Sequence, residues 1–202
     1  ILMSHAAGVG EPLSDELVRI ILLLMINSKA KGYSGIRWTT LQALCDLFNA
    51  GVIPYVPAKG SVGASGDLAP LSHLALVLTG QGKARIKGGW VTGKQVLKKA
   101  KLKPVTLAEG EGLGLVNGTQ VMTAIGARVA HKAKRLSKLA DIAGAMSLEV
   151  LLGTNTQFHK RIHRIRPHKG QVDSAANMRR LTEGSEVISS HKDCDHVQDA
   201  YS

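Results

Sequence analysis

The stretch Lys59–His73, KGSVGASGDLAPLSH, holds the residues of this chain best suited to covalent chemistry, Ala64-Ser65-Gly66. Three readings compete for Ser65. Gly60, Gly63 and Gly66 suggest a phosphate cradle, but such a loop closes on Gly-Lys-Ser/Thr, and here Gly66 is followed by Asp67, whose carboxylate repels a phosphate. Gly63-Ala64-Ser65-Gly66-Asp67 half-matches the nucleophile elbow of serine hydrolases, yet Asp67 stands where a second small residue belongs and no strand is evident before it. The third reading is autocatalytic. The Gly66 nitrogen attacks the Ala64 carbonyl to close a five-membered ring, and loss of the Ser65 hydroxyl leaves an exocyclic methylidene, with two waters released. Each residue type has its reason: glycine offers an unhindered nitrogen and unusual dihedrals, alanine is small beside the ring, and serine carries the β-oxygen that leaves. A bare Ala-Ser-Gly also serves as a tight turn ahead of a helix.

Other groups suggest other chemistry. His191, Asp193, Cys194, Asp195 and His196 offer N, S and O ligands, but their spacing fits no standard zinc pattern, so no metal is expected. The net charge of +11 favours anionic partners. The positive residues are nevertheless spread along the chain, and aromatic stacking residues are scarce at 3%, so a solvated basic face fits better than a nucleic-acid interface. The two cysteines make no disulfide framework; Cys45, among Leu44, Leu47 and Phe48, reads as a small core hydrophobe, and a reducing compartment fits. The longest apolar run, Ile20 to Ile26, is too short to span a bilayer, and a cytosolic setting is the default.

Positioning these groups falls to helices. Leu17, Ile20, Ile21, Leu24 and Met25 follow helical spacing behind Ser14 as a cap, with Asp15 and Glu16 at the positive end of the dipole. A second helix runs from Ile36 toward Gly51 and stops at a Pro54–Pro57 breaker segment. Pro70 is tolerated only in a first turn, which predicts a third helix from about Gly66 to Leu78 and puts Ala64-Ser65-Gly66 at its mouth. KARIKGGWVTG reads as a solvated hairpin. Asn117 to Leu152, free of proline and with Thr119 as a possible cap, predicts a helix long enough to belong in a bundle, its basic patch His131–Lys138 at a wet surface. After Gly153 come a basic, His-rich loop, one short helix near Ser174–Glu183 and an irregular tail.

GSVGASGDLAPLSH resembles the signature of the aromatic amino acid ammonia-lyases. LMSHAAGVGEPLSDELVR, KGYSGIR, LVNGTQ, IHRIRPHKGQ and SHKDCDHVQDAYS resemble the histidine ammonia-lyases in particular, so the likeness covers essentially all 202 residues. It implies a mainly α fold, a long-helix bundle of the aspartase/fumarase-like lyase type with a small β-hairpin excursion, of which residues 1–202 form a single central fragment. It further implies that Ala64-Ser65-Gly66 cyclises to 4-methylideneimidazol-5-one (MIO), with no external cofactor. The implied reaction removes ammonia from L-histidine to give urocanate, the first step of histidine degradation, by addition of the substrate amine to the methylidene carbon. Attack by the imidazole ring is the rival route, and tyrosine or another aromatic amino acid the rival substrate.

By the same resemblance, Asn117 lies near the ring and the substrate carboxylate, although it reads equally as a helix N-cap. Gln198 and Tyr201 match residues beside the prosthetic group, where a phenol exchanges a proton with the amine or the β-carbon. His5 matches the histidine that faces the substrate side chain. The third helix brings its N-terminal N–H groups toward charge developing on the ring oxygen. Sites are shared within a cytoplasmic homotetramer, without membrane or nucleic acid. Glu109-Gly110-Glu111 replaces a lysine-glutamate pair and is expected to loosen its turn. The resemblance places a tyrosine-bearing loop before Ile1 and, after Ser202, a carboxylate-binding arginine and a glutamate that recognises imidazole. The 202 residues alone are therefore expected not to turn over substrate, and an oligomerisation core is the non-enzymatic reading.

Overall fold

The structure, a computed structural model, describes residues 1–193 and 195. The chain forms two compact units, Ile1–Val129 and Ala130–Ser202.

The first unit opens with a short helix α1 (Leu2–His5) and strand β1 (Val9–Pro12), followed by α2 (Asp15–Lys29) and α3 (Trp38–Asn49). Local chemistry explains α2: the Ser14 hydroxyl accepts from the Leu17 amide, and the apolar stripe Leu17, Val18, Ile21, Leu22 and Met25 is buried. α3 buries Leu41, Leu44 and Leu47. Next come β2 (Ile53–Pro54), β3 (Pro57–Lys59) and α4 (Leu68–Leu78), whose Leu71, Leu74, Ala75 and Val77 are wholly inaccessible. A helix apolar on every side belongs at the centre of a core, and α4 packs against α1, α3, α5 (Gly93–Lys99) and α6 (Glu111–Val116). Its first residue is Leu68, two later than the spacing predicts, with Pro70 in the first turn, where a missing N–H costs no helical bond.

The hairpin expected around Gly88-Gly89 is present as β4 (Lys83–Arg85) and β5 (Val91–Thr92). It is no isolated excursion. β4 also pairs with β2, Ile53 opposite Arg85, and Ala84 is fully buried, while β3 pairs antiparallel with β1, Val9 opposite Lys59. The proline-flanked segment read as a breaker thus supplies two short strands. The prolines are tolerated because β2 lies at the edge of its sheet and β1 and β3 form a two-stranded ribbon.

The long helix α7 (Gln120–Val150) has 31 residues and passes from the first unit into the second. It begins three residues after Asn117, which instead occupies the C-cap of α6. In the second unit Leu136, Leu139, Ile142, Met146 and Val150 leave an exposed apolar stripe. A 3-10 turn (Thr156–Phe158), α8 (Lys160–Ile165), α9 (Lys169–Leu181) and α10 (Glu186–Ser190) follow. The segment read as a His-rich loop therefore contains α8 and the start of α9. α9 was recognisable only in its second half because it buries just Ala175 and Met178. Polar bonds secure it instead: the Asp141 carboxylate accepts from Ser174 Oγ at 2.5 Å and from Asn177 Nδ2 at 2.7 Å. Buried His163 lies 3.1 Å from both the Gln157 carbonyl and the Gln171 amide.

The fold is mainly helical. Among the described residues, no helix is long and apolar enough to cross a membrane. Also among the described residues, no group of three or more His, Cys, Asp or Glu side chains is placed to hold a metal ion. Cys194 and His196 lie outside the described residues.

Candidate active site

The loop from Gly60 to Asp67 leaves β3 and enters α4, carrying Ala64 and Ser65 exposed and Gly66 buried. Gly66 has a φ of 135°, a conformation open essentially to glycine alone. A β-carbon there would lie 2.7 Å from both the nitrogen and the oxygen of Gly118, closer than real carbon contacts allow. Gly66 therefore rests on the backbone of Gly118, the residue after Asn117, and the Asp67 amide fastens the contact by donating to the Gly118 carbonyl at 2.7 Å.

Asp67 holds the same junction by its side chain. Its carboxylate, 2% exposed, accepts from the Val121 and Met122 amides at 3.0 and 2.9 Å and from Ser61 Oγ at 2.8 Å. The two amides are free N–H groups in the first turn of α7, which Thr119 was expected to cap; a carboxylate 54 positions earlier takes them instead. One residue thus ties both ends of the Ala64–Gly66 turn, loop side and helix side, to the element that follows Asn117. The sequence shows Asp67 only as the residue that spoils a phosphate loop and a nucleophile elbow, because its partners are remote in the chain.

This arrangement also limits what α4 can offer to a developing negative charge. Pro70 has no N–H, and that of Asp67 is committed to Gly118, leaving Leu68 and Ala69 in the opening turn.

α6 brings in Asn117 and is anchored at its other end by Glu111, which is 1% exposed. Glu111 Oε1 accepts from the Arg37 amide at 2.9 Å and Thr40 Oγ1 at 2.7 Å; Oε2 accepts from Arg37 Nη2 at 2.8 Å and the Ala108 amide at 2.7 Å. Burial alone pushes a carboxyl up, but the bonds from the Arg37 guanidinium, the Ala108 amide, the Thr40 hydroxyl and the Arg37 amide outweigh it and bring Glu111 down to about 2. The Glu109-Gly110-Glu111 turn is therefore pinned at Glu111 rather than loosened, with Gly110 at φ 82° as the N-cap of α6. Asn117 itself is exposed, and its amide donates to the Leu113 carbonyl.

His5 ends α1, half-buried, with Nδ1 2.9 Å from the Ile1 carbonyl and 3.0 Å from Ser4 Oγ. A carbonyl only accepts, so Nδ1 carries the proton in that bond, and in the neutral ring Nε2 is the acceptor. A cavity of about 320 Å³ beside the loop is lined by Ser61, Val62, Gly63 and Asp67 together with Val121 and Met122; Ser65, Asn117 and His5 lie outside its lining. Gln198 and Tyr201 lie outside the described residues.

A family model, aromatic amino acid lyase, matches residues 1–202. The chain belongs to that family. Within the aromatic amino acid lyases it is similar to the histidine ammonia-lyase of Gloeobacter violaceus, 56% identical over 100% of this chain and 39% of that protein. Among solved structures it is similar to histidine ammonia-lyase from Trypanosoma cruzi, with a TM-score of 0.85 and 46% identity over 88% of this chain and 35% of that one. It is similar also to a Pantoea agglomerans phenylalanine aminomutase, with a TM-score of 0.88 and 33% identity over 99% of this chain and 40% of that one. The chain spans about two fifths of the length of the curated relatives it matches.

For this aromatic amino acid lyase chain, Asp67→Asn should keep the protection of the Val121 and Met122 amides, since the amide oxygen still accepts, while losing charge assistance of about 1 kcal/mol. Asp67→Ala should expose both amides to exchange. Site-resolved hydrogen exchange with urea unfolding checks this, and equal protection in both variants would remove Asp67 as the α7 cap.

Proposed function

We propose that the protein to which this chain contributes is a histidine ammonia-lyase that converts L-histidine to urocanate and ammonia, as a cytoplasmic homotetramer with shared sites. The seating of Gly66 carries the reading. An Ala-Ser-Gly run presents Ala64 and Ser65 outward and buries its glycine, at a φ only glycine accepts, against Gly118. A cradle that excludes any β-carbon fits a backbone group made from Ala64, Ser65 and Gly66. When formed, MIO supplies an electrophilic exocyclic carbon at Ser65 to which a substrate amine adds.

The chain's own residues have these roles. Asp67 and Gly118 hold the Ala64–Gly66 segment rigid through the bonds described above. Asn117, beside Gly118 and exposed, provides an amide able to bind the substrate carboxylate. His5, with Nε2 open as an acceptor, receives a hydrogen bond from the substrate imidazole. Gln198 and Tyr201 complete the proposed set, the phenol as proton carrier. The names of the similar proteins support histidine as substrate, and the exposed apolar stripe of α7 supports assembly into a helical bundle.

The test is intact mass with peptide mapping across Lys59–Arg85, joined to a urocanate absorbance assay on the full-length protein with histidine and tyrosine in parallel. A deficit of two waters confined to Ala64-Ser65-Gly66, with urocanate formed from histidine and no 4-hydroxycinnamate formed from tyrosine, is the expected result. An unmodified peptide from folded full-length protein would end the MIO reading.

A further inference from the structure

Two segments remote in the chain meet at a junction that no sequence motif announces. The Gly8 amide donates to Nε2 of His73 at 3.0 Å, across 65 positions of the chain. Gly8 follows His5 by three residues, and His73 lies within α4, the helix that leaves the Ala64–Gly66 loop. Packing there is tight on both sides. A β-carbon on Gly8 would lie 3.2 Å from His73 Nε2, from the Lys59 carbonyl and from Pro57 Cβ, and one on Gly60 would lie 2.9 Å from the Gly8 α-carbon. Lys59 and Gly60 lead into the loop, and Val9 pairs with Lys59 in the β1–β3 ribbon. The segment after His5 is thus pinned to the strand that enters the loop and to the helix that leaves it.

We infer that His73 is a positioning residue for the proposed elimination: as a neutral imidazole accepting the Gly8 N–H at Nε2, it sets the His5-bearing segment against both ends of the Ala64–Gly66 loop. The inference rests on the lyase reading for its functional consequence, but the bond itself does not.

The donor decides the tautomer. A backbone amide has only a proton to give, so Nε2 must be a bare lone pair and the ring proton must sit on Nδ1. An imidazolium would set N–H against N–H. Burial pushes the His73 imidazole below its ordinary value, which favours the neutral form; Tyr55 and Lys83 are the titratable groups lining the same cavity. An apolar side chain of similar size would fill the space but leave the Gly8 amide without its acceptor in a crowded corner. Glutamine keeps an acceptor oxygen within similar reach.

The full-length protein with His73→Leu and His73→Gln separates positioning from packing. In His73→Leu, amide exchange across Ala6–Gly10 should quicken about tenfold. The two-water deficit at Ala64-Ser65-Gly66 should persist, and kcat/KM for histidine should fall about tenfold or more, chiefly through KM. His73→Gln should restore slow exchange and most of kcat/KM. Leu and Gln variants that behave alike, or exchange unchanged in Leu, would overturn the inference. Should His73→Leu fail to fold, deuterium exchange at the ring carbon of His73 in the unaltered protein decides: a ring titrating below free imidazole upholds the inference, and one charged at neutral pH overturns it. A wild-type protein that makes no urocanate would sink the lyase reading alone, because the exchange contrast between Leu and Gln is read without turnover.

Discussion

Gly66→Ala should leave the turn at Ala64-Ser65 uncyclised, with both waters still in place, and cost the chain about 3 kcal/mol of stability, because two independent penalties act at one position. A φ of 135° is strained for any residue with a side chain, and the new β-carbon would meet the Gly118 nitrogen and oxygen at 2.7 Å. Neither neighbour can retreat cheaply. Both are backbone, and the Gly118 carbonyl already accepts from Asp67. Relieving the clash means separating the Ala64–Gly66 turn from the Asn117–Gly118 segment, which removes the support on which the proposed ring closure rests. Intact mass and urea midpoints check the two halves of this expectation separately. Ser65→Ala is the control, since it removes the leaving hydroxyl at an exposed position: the water that carries the Ser65 oxygen, and with it the methylidene, should be lost from the deficit with little change in midpoint. A Gly66→Ala chain as stable as the parent would mean that Gly66 is not seated on Gly118.

Glu111→Ala is the second large effect. It strips the acceptor from the Arg37 amide, the Ala108 amide and Thr40 Oγ1, and leaves the Arg37 guanidinium without its carboxylate. Breaking a buried pair costs several kcal/mol; Arg37 is 49% exposed, so water recovers part of the loss and about 3 kcal/mol is expected. The acid response has a definite sign. The folded-state value of about 2 lies below the ordinary 4.5, so the unfolded chain takes up a proton more readily than the folded one. The stability Glu111 contributes is fully present above about 4.5 and is lost as pH falls toward and through about 2. Glu111→Gln should flatten that part of the profile. Urea midpoints measured from neutral pH down to about 3 give the slope. Equal acid slopes in parent and Gln variant would contradict the assignment. Since Asn117 is the C-cap of α6, loosening the helix's anchor should also raise KM for histidine in the proposed full-length lyase more than it lowers ring formation.

Legibility in the sequence followed the range of the forces involved. α2 could be read because its cap, its acidic first turn and its apolar stripe all lie within one stretch of chain. α4 could be placed to within two residues because Pro70 admits few positions in a helix. β2 and β3 could not, since their pairing partners β4 and β1 lie far off in the chain and prolines locally argue against strand. Only the second half of α9 is legible in the sequence, for the opposite reason: few of its residues are buried, and its tie to Asp141 is a polar contact without periodicity.

The site divides along the same line. The proposed cyclisation of Ala64-Ser65-Gly66 could be read because the atoms it needs are neighbours in the chain, and the flanking motifs carry the family likeness that the comparisons bear out. The residues that hold this turn announce nothing. Asp67 finds its amide partners 54 positions on, His73 finds Gly8 65 positions back, and Glu111 finds Arg37 and Thr40 more than 70 positions back. By itself the sequence determined which backbone atoms stand close enough along the chain for the proposed cyclisation, and where cap and periodicity start most helices, because those are properties of neighbouring residues. Only the tertiary structure decided which buried carboxylate caps α7, which glutamate anchors α6 and which imidazole pins the His5 segment. A buried polar group must find its partner wherever packing brings one, and packing is set by the whole core rather than by local order.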